Sequence, residues 1–355
     1  MAEPRWRVAV VGAGIGREHI AGFRELPGLF RVATVCDLNT ARAAEVAAAV
    51  PGCAVTADLE AVLADPAIDI VDICLPPHLH FAAVGRVLDA GKHAICEKPL
   101  VTSLAEADAL IARAGAAGRL LAPVFQYRFG PGFQRLRRLI DAGLAGRPLV
   151  AALETHWNRG PDYYAVPWRG TWAGEQGGAV LGHAIHIHDL VCAALGPVRR
   201  VGAFVATRVN PIEVEDCAAL TFEMESGALV TSSVTLGAAT DMSRLRFCFE
   251  RLTAESDTSP YHPGGGRWRF TARAPAAQAA VDAALAAVAD GPERYAGLFA
   301  ELARALDGAP SAAVTAADAR RSIELVTAIY HAARTGAAAT LPIGSEHPLY
   351  RGWSP

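Results

Sequence analysis

The first third of the chain alternates short apolar runs with segments in which apolar residues recur at helical spacing. This alternation is typical of a parallel sheet covered by helices, so it predicts a doubly wound α/β fold. The predicted strands are 7–11, 31–36, 68–75, 93–96 and 120–125. The predicted helices are 17–26, 41–50, 81–90 and 104–117, the last with Ser103 as its N-cap and Glu106 close to a capping box.

Beyond residue 125 the pattern changes to a helix, 133–142, and longer alternating runs that favour antiparallel strands. These strands are predicted at 150–155, 198–207, 217–223, 229–236 and 245–250. Two amphipathic helices, 295–306 and 316–333, are expected to cover one face of this sheet. The chain is therefore predicted to form two domains, a doubly wound domain at 1–125 and an α+β domain with a mostly antiparallel sheet at 126–355.

Length and composition agree with this division, since 355 residues exceed what one hydrophobic core usually supports. The net charge of −3 provides no strong field for nucleic acid or an anionic membrane. The seven cysteines include no C-x-x-C pair, segment 1–7 lacks the apolar stretch of a secretory signal, and runs such as 68–76 are too short to cross a bilayer. We expect a soluble protein of the reducing cytoplasm that binds neither nucleic acid nor membrane.

The first predicted strand runs directly into a glycine-rich loop that contains Gly12, Gly14, Ile15 and Gly16. Glycines at such a turn let the backbone approach a pyrophosphate, and the following helix start supplies N–H donors and a partial positive charge. The third glycine arrives one residue earlier than in the usual G-x-G-x-x-G motif. These four residues are expected to bind a dinucleotide.

Asp37 ends the second predicted strand, 21 residues after Gly16, where a dinucleotide-binding fold places its ribose-binding acid. A carboxylate there accepts hydrogen bonds from both ribose hydroxyls and repels a 2′-phosphate, so NAD is expected in preference to NADP. An alternative is that Asp37 caps the helix that starts near Thr40.

Three further motifs extend this arrangement. They are Leu75-Pro76-Pro77-His78-Leu79-His80, Glu97-Lys98-Pro99, and Gly177-Gly178 ahead of His186-Ile187-His188-Asp189. Together with the glycine loop, they resemble the Gfo/Idh/MocA family of glucose-fructose oxidoreductase-like and inositol dehydrogenase-like enzymes over nearly the whole chain. The resemblance implies a Rossmann domain, bound NAD, and hydride transfer to or from an alcohol of a sugar, sugar derivative or cyclitol.

By this resemblance, Pro76, Pro77 and His80 line the nicotinamide half of the cofactor site, and Glu97 and Lys98 lie beside the reacting carbon. The chemistry of Lys98 agrees, because an ammonium can hydrogen-bond the substrate oxygen as the hydride leaves. A nearby oxidised nicotinamide also favours the neutral amine, which brings Lys98 closer to use as an acid or base. The alternative for Lys98 is a surface position in a turn.

The resemblance also makes His186 the catalytic base, although Gly182 stands where relatives commonly carry an aspartate one helical turn earlier. His183 and Asp189 lie within helical reach and are expected to support His186 in the substrate site. His188 is expected to pack or bond locally. Zinc binding by these side chains is not expected, because His186 and His188 point in different directions on a helix.

Segment 157–178 is rich in rings and guanidinium groups, as expected of a wall that stacks on sugars and bonds their hydroxyls. Tyr163 is assigned to the substrate, and the resemblance places Arg128, Trp168 and Arg169 near the cofactor, with Arg128 and Trp168 also reaching substrate. Segment 256–266 is a second long loop with less evident chemistry.

Two alternatives to a dehydrogenase remain at this point. One is an NAD-sensing regulatory protein, which Gly182 motivates, and the other is a glycoside hydrolase that uses NAD transiently. The expected partners are a sugar or polyol and further copies of the chain, forming a dimer or tetramer through the sheet of the second domain.

Overall fold

The computed structural model describes residues 4–288 and 291–355. Its strands are β1 (Trp6–Val11), β2 (Phe30–Cys36), β3 (Ala54–Thr56), β4 (Ile70–Ile73), β5 (His93–Cys96), β6 (Leu121–Pro123), β7 (Pro148–Asn158), β8 (Val198–Ala206), β9 (Cys217–Met224), β10 (Leu229–Thr235), β11 (Gly237–Phe249), β12 (Leu252–Glu255), β13 (Arg269–Ala272) and β14 (Ala339–Thr340).

Its α-helices are α1 (Gly16–Arg24), α2 (Thr40–Ala47), α3 (Leu59–Ala64), α4 (His80–Asp89), α5 (Leu104–Ala117), α6 (Pro131–Asp141), α7 (Pro161–Tyr164), α8 (Ile185–Leu195), α9 (Gln278–Ala286), α10 (Arg294–Leu306) and α11 (Ala316–Thr335). Of segment 1–7, considered above for an export signal, the first three residues lie outside the described part. Within the described part, no helix has both the length and the apolarity that crossing a membrane requires.

The first compact unit extends to Gln126 and also includes Arg294–Arg320. Its six strands are all parallel and follow the order β3-β2-β1-β4-β5-β6. The strand order reverses at β1, so the loops after β1 and β4 leave neighbouring strands at the same edge of the sheet. Ligands of open α/β sheets bind outside such strand ends.

Local sequence patterns determine most of this unit. Helix α5 has the predicted bounds, and its N-cap Ser103 accepts the N–H of Glu106 at 3.2 Å while Glu106 accepts the N–H of Thr102 at 3.3 Å. The short β3 and α3 were not predicted, because β3 pairs only along one edge and offers no buried run.

The assignment of helix 295–306 to the second domain was wrong. Helix α10 packs against α1 in the first unit, where the rings of Phe23 and Phe299 stack at 3.8 Å. A Cβ on Gly22 would lie 2.8 Å from Cβ of Tyr295, so the glycine permits this close approach. An amphipathic pattern shows that a helix covers a core but not which core it covers, and this explains the error.

The second compact unit comprises Tyr127–Glu293 and Arg321–Pro355. Its eight strands follow the order β13-β12-β11-β7-β10-β9-β8-β14, and every pair except β7 with β10 is antiparallel. Strands β12 and β13 extend the predicted sheet beyond β11. The predicted fold class, a Rossmann sheet with an α+β domain, is confirmed.

Candidate active site

The glycine loop has the backbone that a phosphate-binding turn requires. Gly12 has φ of 102°, and a Cβ there would lie 2.3 Å from the carbonyl oxygen of Cys74. A Cβ on Gly16 would lie 2.8 Å from a methyl of Val10, so this glycine lets α1 pack on the sheet. Gly14, in contrast, has no other atom within 4 Å of its Cβ position. The loop therefore leaves room over Gly14 for a ligand to approach the backbone.

Asp37 is buried beside this loop and is fully hydrogen-bonded. Its two oxygens accept the N–H groups of Ala13 and Asn39, each at 2.7 Å, and the Arg42 guanidinium contacts both oxygens at 2.9 Å. Burial raises the pKa of Asp37, but the donors Ala13, Asn39 and Arg42 outweigh it, so the pKa lies below its usual value. The N-cap of α2 is Asn39, which removes the alternative role for Asp37.

Of the donors to Asp37, Arg42 alone belongs to a flexible side chain, and it is 46% exposed. A ribose diol would replace Arg42 at the carboxylate, while the two backbone N–H groups would keep the carboxylate in place. Glycine loop and acid thus fit the phosphates and ribose of a dinucleotide.

His80 lies beneath the loops rather than on their surface. Its ring is fully buried, with Nδ1 at 2.7 Å from the carbonyl oxygen of Pro99 and Nε2 at 2.7 Å from that of Leu75. Burial lowers its pKa, although both carbonyls favour the protonated ring. His80 therefore joins the segments after β4 and β5 as a positioning residue. Pro76 and Pro77, assigned with it to the cofactor, are half-buried.

His19, a residue not singled out from the sequence, holds Glu97 in place. Its Nδ1 lies 2.8 Å from the Asp72 carboxylate and its Nε2 lies 3.0 Å from Glu97, whose other oxygen accepts the N–H of Lys98 at 3.1 Å. Burial alone lowers the pKa of His19, but Asp72 and Cys74 raise it well above its usual value. A protonated imidazole can donate to both carboxylates, which orients Glu97 under Lys98.

Among the described residues, His19, Asp72 and Cys74 are the three that could share a metal ion, with ligand atoms within 4.8 Å of one another. Burial raises the pKa of Cys74 to about 12, which keeps its sulfur a neutral thiol. The imidazole Nδ1 is already engaged by Asp72. We interpret the trio as a hydrogen-bonded network.

In the second unit, the histidines lie on a widened turn, Val180–Ala184, that continues into α8. His186 is buried and stacks on Tyr127 with ring centroids 4.3 Å apart. Nε2 of His183 lies 3.3 Å from the hydroxyl of Tyr163. His188 bonds Ser232 at 3.0 Å, and burial lowers its pKa to about 3, so it is a neutral packing residue as expected.

Glu215, also missed from the sequence, anchors the start of this turn. Its buried carboxylate accepts the N–H groups of Gly178, at 3.1 Å, and Val180, at 3.0 Å, together with the hydroxyl of Tyr330 at 3.0 Å. A Cβ on Gly178 would lie 1.8 Å from the carbonyl oxygen of Glu215, so only glycine fits at this position. Burial is the largest influence and raises the pKa of Glu215 to about 7.

Arg128 and Asp189, both expected to contact ligands, pair with each other. The guanidinium donates to both carboxylate oxygens, at 2.7 and 2.5 Å, and the side chains are 14% and 2% exposed. A buried bidentate pair of this kind holds α8 to the segment before α6, so both residues position the histidines.

The aromatic segment forms a stack of cations and rings. Arg169 lies 3.8 Å from the ring centroid of Tyr163, and Trp168 is its second aromatic neighbour at 5.2 Å. Arg159 lies 5.3 Å from Tyr163 and equally far from Tyr261, which comes from the loop 256–266. That second loop therefore adds to the same wall, although its sequence gave little indication of it.

Two family models match the chain. Residues 6–125 match the oxidoreductase family with an NAD-binding Rossmann fold, and residues 133–255 match the GFO/IDH/MocA C-terminal domain. The chain belongs to the GFO/IDH/MocA family. The resemblance inferred from the motifs is confirmed, and so is NAD as the cofactor of this Rossmann domain.

Individual members of the GFO/IDH/MocA family are similar over different lengths. Inositol 2-dehydrogenase of Mycolicibacterium smegmatis is 39% identical over 146 residues, which are 41% of this chain and 42% of that enzyme. The match thus spans less than half of that relative. The WlbA dehydrogenase of Bordetella pertussis, solved with NADH and UDP-GlcNAcA, superposes with a TM-score of 0.83 at 25% identity over 97% of this chain and 100% of its own.

Levoglucosan dehydrogenase, solved with NADH and levoglucosan, has a TM-score of 0.80 at 21% identity and covers 95% of this chain and 100% of its own. This likeness shows the shared fold of the GFO/IDH/MocA family.

We expect the second unit to lose stability as pH rises, because ionising Glu215 in the folded state is unfavourable. Its pKa is about 7 when folded against 4.5 for a solvated glutamate, so the contribution is fully present below 4.5 and is lost as pH rises through 7. In urea unfolding from about pH 5 to about pH 8, wild type should lose up to about 3 kcal/mol relative to Glu215→Gln. Glu213→Gln, a control at an exposed position, should show the same change in the free energy of unfolding with pH as wild type. If that free energy changed with pH equally in wild type and in Glu215→Gln, the raised pKa of Glu215 would be contradicted.

Proposed function

We propose that this chain is an NAD-dependent oxidoreductase that transfers a hydride between nicotinamide and a secondary alcohol of a sugar, sugar derivative or cyclitol. The observation that carries the proposal is the position of Lys98 directly after β5, on the strand edge where Gly12 and Asp37 follow β1 and β2. A cation on this edge supplies the electrostatic stabilisation that alcohol oxidation needs.

When bound, NAD⁺ supplies the acceptor for the hydride and its two electrons. The ammonium of Lys98 donates a hydrogen bond to the substrate oxygen, which stabilises its developing negative charge. His186 accepts the hydroxyl proton, so the alcohol becomes a carbonyl and the protein gains one proton. Pro76, Pro77, Trp168 and Arg169 are proposed to contact the cofactor.

Polyhydroxylated substrates are supported by the wall around Tyr163, because stacked rings and guanidinium groups bind sugar faces and hydroxyls. The names of similar proteins agree with this class: inositol 2-dehydrogenase acts on a cyclitol, and levoglucosan dehydrogenase was solved with levoglucosan. Purified protein incubated with NAD⁺ and myo-inositol, levoglucosan or UDP-GlcNAcA should form NADH, read at its absorbance band. NAD binding without NADH formation from any alcohol would indicate a sensor, and sugar release without net NADH would indicate a glycosidase.

The substitution Lys98→Ala should reduce turnover by about 100- to 1,000-fold, the usual effect of removing one donor to a developing oxyanion. NAD affinity, measured by calorimetry, should change by less than about threefold. The chain has one other lysine, Lys92, which directly precedes β5. Its ammonium donates hydrogen bonds to the carbonyls of Asp65 and Ile68. Lys92→Ala is therefore the matched control and should keep its turnover. Equal losses of turnover and NAD affinity in Lys98→Ala would identify it as a cofactor clamp instead.

Asp37→Ser should shift cofactor preference toward NADP, because it removes the repulsive carboxylate and releases Arg42 for a 2′-phosphate. A charge-assisted hydrogen bond is worth about 1.5 to 3 kcal/mol, so the ratio of NADP to NAD affinity should rise about 10- to 100-fold. The double variant Asp37→Ser with Arg42→Ala should lose that gain. An unchanged ratio in Asp37→Ser, measured by calorimetry, would exclude Asp37 as the ribose-binding acid.

We also propose that the chain forms a homo-oligomer, a dimer or tetramer, through its eight-stranded sheet. Val150 pairs with Leu229, and Phe204 lies on the same face by register, with exposures of 47%, 57% and 80%. The positions between them are small, as in Ala152 and Gly202, which leaves a flat face suited to a second sheet.

Phe204→Glu should lower the oligomer mass in light scattering, because it places a charge on the apolar face at its most exposed large side chain. Leu38→Glu is the control, since Leu38 is 91% exposed in the other unit and should leave the mass unchanged. A monomeric wild-type protein would contradict the proposed interface.

We place the protein in the cytoplasm, since all seven cysteines are free thiols as a reducing compartment requires. Cell fractionation tests this location, and recovery in an exported fraction would contradict it.

A further inference from the structure

A buried carboxylate, that of Glu175, lies against the turn that carries the histidines. Glu175 ends the aromatic segment and is 5% exposed. One oxygen, Oε2, accepts the N–H of Gly170 at 2.7 Å. The other, Oε1, lies 3.6 Å from the position that a Cβ on Gly182 would occupy. The missing side chain of Gly182 thus lets the carboxylate of Glu175 come close to the turn.

The backbone fixes Glu175 in this place from both sides. Gly170, five residues before Glu175, has φ of 71°, Gln176 directly after it has φ of 61°, and the N–H of Glu175 donates to the carbonyl of Thr171 at 3.0 Å, so the segment folds back on itself. The carbonyl of Gln176 accepts the indole N–H of the buried Trp353 at 2.7 Å. A side chain held this firmly can act at a fixed distance from its neighbours.

The neighbours of Glu175 connect it to the histidines. Tyr163 bonds Nε2 of His183 at 3.3 Å. Burial and then the charge of Glu175 raise the pKa of Tyr163, Arg169 and Arg159 lower it, and the net result is a pKa of about 12. Tyr163 therefore remains a neutral phenol, which contacts His183 and is close enough to Glu175 for the charge of that carboxylate to act on it. His186 follows Gly182 by one turn on the same face of the helix.

Burying an ionised carboxylate is costly unless it is hydrogen-bonded or paired, and Glu175 accepts the N–H of Gly170. Beside histidines, a negative charge stabilises the protonated form of the imidazole. A base that accepts a proton from an alcohol becomes cationic, so a fixed negative charge nearby favours the transfer. The hydrogen bond to Gly170 also favours the ionised form of the carboxylate.

We propose that Glu175 is the acidic positioning residue of the histidine turn, whose negative charge beside Gly182 stabilises the imidazolium formed when His186 accepts the alcohol proton. The proposal rests on the proposed dehydrogenase function and deepens it. Glu175 takes up no proton and touches no substrate. It acts through Tyr163 and His183 and through the electrostatic field of its carboxylate at the histidine turn.

Glu175 could instead have a purely structural role, in which its hydrogen bond to Gly170 closes the loop and its charge has no effect on the histidines. Glu175→Gln separates the two, because glutamine keeps the size and the acceptor for the Gly170 N–H but removes the charge. Histidine-selective NMR titration of the whole protein, without cofactor or substrate, reports the pKa of each imidazole. A His186→Gln spectrum assigns the His186 signal.

In Glu175→Gln, the pKa of the His186 imidazole should fall by about one pH unit, a tenfold loss of proton affinity. Glu213→Gln is the matched control, since Glu213 accepts the N–H of Trp172 in the same segment but is exposed. This control should leave the pKa values of the His183 and His186 imidazoles within about 0.2 pH units of those in the wild-type protein. Unchanged imidazole pKa values in a folded Glu175→Gln protein would overturn the proposal.

Moving the charge to the helix provides a rescue. A Cβ at residue 182 has ordinary van der Waals room, so Gly182→Asp in the Glu175→Gln background returns a carboxylate to the histidine turn, next to residue 175. In this double variant, most of the fall in the imidazole pKa should be reversed. Gly182→Asp alone sets two carboxylates side by side and should lower the free energy of unfolding. A folded double variant that regains nothing would also overturn the proposal.

Kinetics separate this proposal from the function on which it rests. For whichever of myo-inositol, levoglucosan and UDP-GlcNAcA yields NADH, Glu175→Gln should lower kcat about tenfold at pH 7, leave KM nearly unchanged and move the acid limb of the rate profile to lower pH. If none yields NADH with wild type, the dehydrogenase function fails while the titration still decides the electrostatic role of Glu175.

Discussion

The approach of Gly12 to the carbonyl of Cys74 is the constraint on which the nucleotide-binding unit depends. At this point the chain leaves β1 between the ends of β2 and β4, and no side chain fits. Because the turn is so tight, α1 starts at once and Ala13 reaches the carboxylate of Asp37. The loop, the acid and the segment after β4 therefore share one edge as a consequence of one backbone contact.

The elements that could be predicted from sequence are those specified by local patterns. Helix α5 carries its own cap, and β5 is bounded by polar residues, so both have the expected limits. The destination of α10 could not be predicted, because its partners on α1 are far away in sequence. The same limit applies to the site: Lys98 and His186 stand in recognisable motifs, whereas His19, Glu215 and Glu175 matter only through distant partners.

Buried ionisable groups are common to the residues that the sequence did not reveal and to one pair that it did. His19 lies between two carboxylates and Glu215 bonds two backbone N–H groups, while Arg128, expected in the site, is bidentate to Asp189. Removing one member of such a group leaves an uncompensated charge, which costs more than the pair contributes. These groups hold loops, so rigid positioning of a few reactive side chains is distributed over many polar contacts.

The late segments of the chain have a consequence for how the protein is made. The packing of α1 requires Phe299, and the loop before the histidine turn requires the indole of Trp353. On the ribosome, the first unit cannot complete its core before Phe299 has emerged, nor the second before Trp353 has. The nascent glycine loop and histidine turn must therefore wait, partly assembled, because their maturation depends on segments that are translated long after them.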